Sequence, residues 1–206
     1  MSEACCGKVN SAHIDAETRR TLWIVLIANA SMFVVETIGG HAVGSLALQA
    51  DALDFAADAA TYGVTLWAIG RAAHVRTRAA LIKSAAMLAM GAFIFAMAVV
   101  RLLSPAPPEA APMGLIGALA LAVNLGAVIM LLRFRKSDAN LRSVWLCSRN
   151  DAFGNILVIL AAGATAATRS PWPDFSVGVI MCLLFVSGSW AVYRQARRES
   201  AAAIQR

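Results

Sequence analysis

The stretch GSLALQADALDFAADAA, residues 44–60, places three carboxylates inside an otherwise apolar segment. Asp51 and Asp58 are seven residues apart and point in nearly the same direction on an α-helix, with Asp54 offset by about 60°. A carboxylate in a membrane-spanning helix is costly unless it faces a cavity, a partner or a cation. Three like charges at this spacing repel, so either some of the acids are protonated or a cation lies among them. Asp51 has an open alternative as a capping or snorkelling residue, because it lies near the start of the segment.

The rest of the chain has the composition of a membrane protein. Of its 206 residues, 59% are hydrophobic and 15% are charged, and the mean hydropathy is +0.67. These values predict an all-α, polytopic bundle of six transmembrane helices, because about 20 residues cross the hydrocarbon core. The predicted spans are roughly 22–41, 44–70, 81–103, 112–133, 143–167 and 172–193. The predicted organisation is a cytoplasmic tail over 1–21, a transport domain over 22–193 and a short basic tail over 194–206.

Basic residues are distributed unevenly between the two sides of this bundle. Of the eighteen lysines and arginines, fifteen fall on the side of the N-terminus, two on the opposite side, and Arg149 lies within the fifth span. Cytoplasmic loops are enriched in positive charge, so both termini are predicted to be cytoplasmic. The polar residues before the first span are not typical of a cleaved signal peptide. A net charge of +6 could suggest a nucleic-acid partner, but that interpretation requires basic residues gathered on a folded soluble surface. Here they lie in short loops, so no nucleic-acid partner is predicted.

The fifth span carries the stretch LCSRNDAFGN, residues 146–155. Cys147, Asp151 and Asn155 follow at intervals of four, so they line one face of a helix. Asn150 points about 100° away from Asp151 and is a candidate for a supporting contact. Two Asp from one helix with Asp and Cys from another provide at most four ligands, the number in a tetrahedral zinc site. Arg149, interpreted as the only basic residue within these spans, has the charge to neutralise one acid.

Several other polar residues and cysteines also have predicted roles. In the first span, Asn29 and Glu36 share a face, and Glu36 is either a proton carrier or partner of the cation path, or a solvated residue at the helix end. Asn124 in the fourth span is predicted to form a hydrogen bond between helices. Cys182 is predicted to be a packing residue. The N-terminal Cys5, Cys6 and His13 belong to an unstructured tail or deliver metal to the bundle.

The stretch GSLALQADALDFAAD resembles the cation diffusion facilitators, a family of proton-coupled exporters of zinc and related divalent ions. Asn29 and Glu36, Val123-Asn124 and Asp151 also fall where that family places such residues, and the resemblance covers about residues 22 to 193. It implies a transport site made by Asp54, Asp58, Cys147 and Asp151. Asp51, Asn150, Asn155, Glu36 and Asn29 are secondary candidates.

The chain departs from the family pattern in two respects. The family commonly has His at the position of Cys147. None of the three histidines of this chain, His13, His41 and His74, lies deep within a predicted span. The family also usually carries a cytoplasmic domain after the sixth span, and the sequence is interpreted as a short form without it. A homodimer, which that domain helps to form in the family, is therefore an open expectation.

The sequence as a whole predicts a divalent metal cation transporter and not an enzyme, with proton-coupled efflux of zinc or a similar ion. Carboxylate and thiolate ligands favour zinc, followed by cadmium, cobalt, iron and manganese. No permanently bound cofactor is expected, and the partners are the lipid bilayer, the metal ion and protons, in a bacterial inner membrane. One alternative is a non-transporting membrane metal sensor or scaffold. Another is an intramembrane aspartyl protease, but the tyrosine-aspartate and glycine-x-glycine-aspartate signatures of such proteases do not occur in this sequence.

Overall fold

A computed structural model describes residues 16–68, 73–103, 106–132 and 139–204. This part of the chain contains six α-helices and no strand, so the predicted all-α fold is confirmed. Five of the helices are long and apolar enough to cross a membrane, and the remaining helix, α2, carries the three carboxylates. The helices are α1 Ala16–Ala42, α2 Leu46–Ala68, α3 Ala73–Leu103, α4 Ala110–Leu131, α5 Ala139–Thr168 and α6 Trp172–Ile204.

The acid-bearing α2 lies at the centre of the bundle. It contacts all five other helices, most extensively α1, while α4 packs on α5 and α3 on α6. Residues 45–53 are buried without interruption. Large apolar side chains such as Leu103, Leu115 and Ile129 are exposed on the outer helices, where they face lipid. The polar helix is thus shielded from the hydrocarbon by its neighbours, as the cost of buried carboxylates requires.

The helix ends agree with the predicted spans on one side of the bundle only. On the side away from the start of α1, all six ends lie within two residues of the prediction. On the opposite side, α1, α3 and α5 begin earlier and α6 ends later, so the loops that the predicted spans leave at 71–80 and 134–142 were wrong in part. Hydropathy detects only the length that crosses hydrocarbon, whereas backbone hydrogen bonds continue a helix into water.

The α1–α2 junction is a tight turn with a glycine at its centre. Gly44 has φ of 73°, in the left-handed region that glycine adopts without strain. The backbone N–H groups of Val43 and Ser45 donate to the carbonyls of Gly39 and Gly40, which closes the end of α1. The turn therefore directs the chain straight back along α1, and this explains why α1 and α2 pack so extensively.

The start of α2 is held by a carboxylate from α6. Asp174 accepts hydrogen bonds from the backbone N–H groups of Leu46 (2.8 Å) and Ala47 (3.1 Å) and from the Ser45 hydroxyl (2.6 Å). Ser45 Oγ in turn accepts from the N–H of Leu48 at 3.1 Å. These bonds satisfy the first N–H groups of α2, which have no partners within the helix. The capping also fixes where the three acids of α2 lie relative to α6.

Candidate metal site

Two hydrogen-bonded bridges join α2 to α5 and enclose the predicted site. At one end, the Asn155 side-chain amide donates to Asp51 Oδ2 at 2.6 Å. At the other, the hydroxyls of Tyr62 and Ser148 lie 3.2 Å apart in a hydrogen bond. Residue numbers rise along α2 and fall along α5 between these bridges, so the two helices run antiparallel. Asp54 and Asp58 on α2 and Asp151 on α5 therefore lie within the same frame.

Asp54, Asp58 and Asp151 form a cluster of negative charge between the helices, here called the acid pocket. Asp54, Asp58 and Asp151 are each half-buried, and each of their charges acts on at least one of the others. Tyr62 donates a hydrogen bond to Asp58 Oδ2 at 3.2 Å. Like charges brought together out of water repel strongly unless a cation or protons compensate them. The structure thus places three of the four predicted ligands between the same two bridges.

The fourth predicted ligand cannot be placed to the same degree. Cys147 lies in α5 directly before Ser148, but its side chain is outside the part of the chain that the structure describes. Among the described residues, no three His, Cys, Asp or Glu side chains are gathered closely enough to hold a metal ion. The set of Asp54, Asp58, Cys147 and Asp151 therefore stays a prediction.

Asp51 belongs to a buried polar chain that crosses three helices. It is 1% exposed, and its partner Asn155 accepts a hydrogen bond from the Asn124 side-chain amide at 2.8 Å. The alternative of Asp51 as a capping or snorkelling residue was wrong, because Ser45 and Asp174 cap α2 and Asp51 faces the core. The predicted interhelical hydrogen bond of Asn124 is confirmed. Asn155 orients the Asp51 carboxylate, because both polar atoms of its amide are engaged.

Glu36 on α1 faces this buried chain. It is fully buried, and among the described residues the hydrogen-bond partner of its carboxyl group is the carboxyl group of Asp51, which requires that one of the two be protonated. The charges of Asp51 and Asp54 act on it. The alternative of a solvated residue at the helix end was therefore wrong. Asn29 lies seven residues before Glu36 on the same face of α1 and is buried. Its side-chain amide donates a hydrogen bond to the Val25 carbonyl at 2.8 Å, while its Oδ1 has no hydrogen-bond partner among the described residues.

A basic group beside the acids is Lys83, one of the fifteen basic residues predicted to lie on the side of the N-terminus. Lys83 of α3 is half-buried, and its charge acts on Asp58. Arg149 is exposed on α5, and its expected role as neutraliser of one acid stays a prediction. Tyr62 and Ser148 were also missed; the signal for Tyr62 was its position one turn after Asp58, on the same face.

The remaining candidates lie away from the pocket or outside the description. Asn150 is half-buried next to Asp151. Cys182 is 1% exposed, and its thiol donates to the Gly91 carbonyl of α3 at 3.4 Å, in line with the predicted packing role. Cys5, Cys6 and His13 lie outside the described residues.

Comparison with known proteins places this architecture in a family. The model of the cation efflux transmembrane domain matches residues 22–199. The chain belongs to the cation efflux family. This confirms the resemblance, and it agrees with the expectation of an integral membrane transport protein and not an enzyme.

Several curated relatives resemble this cation efflux domain over most of its length. The zinc transporter ZitB of Pectobacterium atrosepticum is 29% identical over 203 residues, covering 92% of this chain and 63% of the relative. The metal cation efflux system protein CzcD of Cupriavidus metallidurans is 25% identical over 85% of the chain and 59% of its own length. The cadmium, cobalt and zinc/H(+)-K(+) antiporter of Bacillus velezensis is 28% identical, with 89% and 63% coverage. The chain thus spans about 60% of the length of these relatives.

Proposed function

We propose that the chain carries a divalent metal cation across a membrane, with the ion bound between α2 and α5. The observation that supports this most is the framing of Asp54, Asp58 and Asp151 between two interhelical bridges, half-buried and mutually repelling. Asp54 and Asp58, with Cys147 and Asp151, are the proposed ligands. Such a site attracts a divalent cation, because the ion relieves the repulsion and replaces water as the partner of the carboxylates.

Zinc or a chemically similar ion is the proposed substrate. Carboxylates with one thiolate form the mixed oxygen and sulfur set that zinc accepts in tetrahedral sites. The names of the relatives, which include a zinc transporter and a cadmium, cobalt and zinc antiporter, support the same class of ion. Replacing Cys147 by Ser tests the thiolate: loss of the soft ligand shifts preference from cadmium and zinc towards manganese. Unchanged selectivity would exclude Cys147 as a ligand.

Efflux coupled to protons is the proposed driving reaction. Metal binding to carboxylates releases protons, so loading and proton uptake exclude one another. Glu36 and Asp51 are proposed to take part, because three of their four buried oxygens have no partner outside this pair and a proton shared between the two carboxyl groups compensates one charge. Replacing Glu36 by Gln should leave zinc binding in place and reduce the number of protons released per ion bound. An unchanged proton count would remove Glu36 from the coupling.

The proposed orientation has both termini in the cytoplasm of a bacterial cell, in the inner membrane. The support is the excess of lysine and arginine on the side of the N-terminus, where α1, α3, α5 and α6 also extend beyond the predicted spans. The ion then binds from the cytoplasm and is released on the far side by alternating access. A homodimer remains part of the proposal and is tested by cross-linking in native membranes.

Transport by everted membrane vesicles tests the function directly. Vesicles that contain the wild-type chain should accumulate zinc in a proton-dependent manner. Asp58→Asn and Asp151→Asn should each reduce uptake to the level of empty vesicles, because each removes a ligand charge. Glu109→Gln is the matched control, since Glu109 is an exposed acid before α4 that makes no side-chain capping bond. Retained uptake in either site variant, or no uptake by the wild type, would refute the proposal.

A further inference from the structure

The third helix contributes one basic side chain to the acid pocket. Lys83 Nζ donates a hydrogen bond to Thr61 Oγ1 on α2. The Thr61 hydroxyl in turn donates to the Ala57 carbonyl at 2.7 Å, so its rotamer is fixed and its lone pair is presented to the ammonium. Thr61 lies three residues after Asp58 and shares its side of the helix. The lysine is therefore anchored on α2 within reach of one particular acid.

Lys83 affects Asp58 differently from the other acids. Attraction by Lys83 and a hydrogen bond from Tyr62 are the favourable interactions of the Asp58 carboxylate. Asp54 and Asp151, by contrast, are acted on chiefly by other carboxylates. One of the three proposed acidic ligands thus has a positive partner supplied by the protein, and the charge of that partner cannot diffuse away.

We propose that Lys83 is a tethered counter-ion of Asp58. When no metal ion is bound, the Lys83 ammonium compensates the charge of the Asp58 carboxylate. The transported cation displaces the ammonium when it binds. This inference rests on the proposed function, because it assigns Lys83 to the same site. A divalent ion that binds to Asp58 must overcome the attraction between Asp58 and the ammonium. Lys83 therefore weakens binding and favours release, and its return to Asp58 compensates the carboxylate after the ion leaves.

The chemistry of lysine suits this role better than that of arginine. An ammonium on a flexible four-carbon stem forms a single-point contact, which a competing cation can break without separating a two-bond fork. The anchor on neutral Thr61 keeps one hydrogen bond to the ammonium when Asp58 changes partners. A lysine within an apolar helix also requires a partner for its charge, and the sequence of α3 contains no acidic residue.

The test is zinc binding by the full-length purified chain in detergent, measured by competition with a fluorescent zinc chelator. Lys83→Met removes the charge and keeps the stem, whereas Lys83→Gln keeps a donor for Thr61. Both should bind Zn²⁺ about tenfold more tightly than the wild type, because an unopposed carboxylate attracts the ion more strongly. Lys83→Arg keeps the positive charge and should bind Zn²⁺ no more tightly than the wild type. Arg194→Met, which removes an exposed charge at the far end of α6, is the control for net charge and should change nothing.

Thermal unfolding separates this role from a purely structural ion pair. A tethered counter-ion predicts that Lys83→Met lowers the melting temperature without metal and increases the shift produced by saturating Zn²⁺. A structural pair predicts equal losses with and without Zn²⁺, which would overturn the inference. Zinc affinity that is unchanged or weaker in both Lys83→Met and Lys83→Gln would also overturn it, while leaving the proposed function intact. A wild-type chain that binds no Zn²⁺ would overturn both.

Discussion

Replacing Asp174 by Ala should destabilise the bundle strongly, although Asp174 is remote from the proposed ligands. The substitution removes the acceptor of three hydrogen bonds, from the Ser45 hydroxyl and from the N–H groups of Leu46 and Ala47. Asp174 is only 3% exposed, so water does not readily replace it. Hydrogen bonds to a charged group contribute about 1.5–3 kcal/mol each, and loss of an N-cap costs about 0.5–2 kcal/mol. Because the three bonds share one carboxylate, we expect about 3–5 kcal/mol in total.

The assay is reversible unfolding in mixed detergent micelles as the fraction of SDS increases, followed by circular dichroism. Glu109→Ala is the matched control, since Glu109 also precedes a helix but makes no side-chain capping bond, and it should change the free energy of unfolding by less than about 0.5 kcal/mol. Asp174→Asn retains one acceptor oxygen and should lie between the two. A loss below about 1 kcal/mol for Asp174→Ala would show that the cap does not hold α2 in place.

Three further substitutions, one of them with a control, test the packing between helices by the same unfolding measurement. Gly178→Ala should destabilise by about 1–3 kcal/mol, because its Cβ would come within 2.8 Å of the α2 backbone. Its control is Gly163→Ala, which has open space around it and should be neutral or stabilising. Equal effects of the two substitutions would refute the close contact. Asn124→Leu should cost about 1–3 kcal/mol, because it leaves Asn155 Oδ1 without its donor; a neutral result would contradict the buried polar chain. Tyr62→Phe should cost about 1 kcal/mol by removing the bridge to α5, and no change would mean that the bridge does not form.

The sequence was informative about what crosses the membrane and less so about what lies beyond it. Long apolar segments specify spanning helices, so the number of helices and one set of helix ends agreed with prediction. The other ends did not, because polar and basic residues near the starts of α3 and α5, such as Arg76 and Arg142, lower hydropathy without breaking a helix. Hydropathy measures preference for hydrocarbon, whereas helix ends depend on capping and on breakers such as the Gly44 turn.

Pairing between helices was beyond the sequence pattern. Spacing correctly grouped Cys147, Asp151 and Asn155 on one face of α5, but it contained no information about which α2 residues that face meets. Lys83 shows the same limit: counted by position, it belonged to the cytoplasmic charge excess, and only the packing of α3 on α2 reveals its proximity to Asp58. A helix period fixes direction around one axis, and the partner across an interface depends on how the axes cross.

The crossing of α2 and α5 explains why two acids that share a face have different roles. Asp51 and Asp58 point the same way along α2, so periodicity treats them alike. Where Asp51 lies, α5 is close: a Cβ built on Gly154 would be in contact with Asp51 Oδ1 at 3.6 Å, and Asn155 donates a hydrogen bond to the other oxygen. Two turns later Asp58 is half-buried and accepts a hydrogen bond from Tyr62. Asp51 is thus part of the protein interior, whereas Asp58 remains accessible enough to exchange one partner for another, as the proposed transport requires of a ligand.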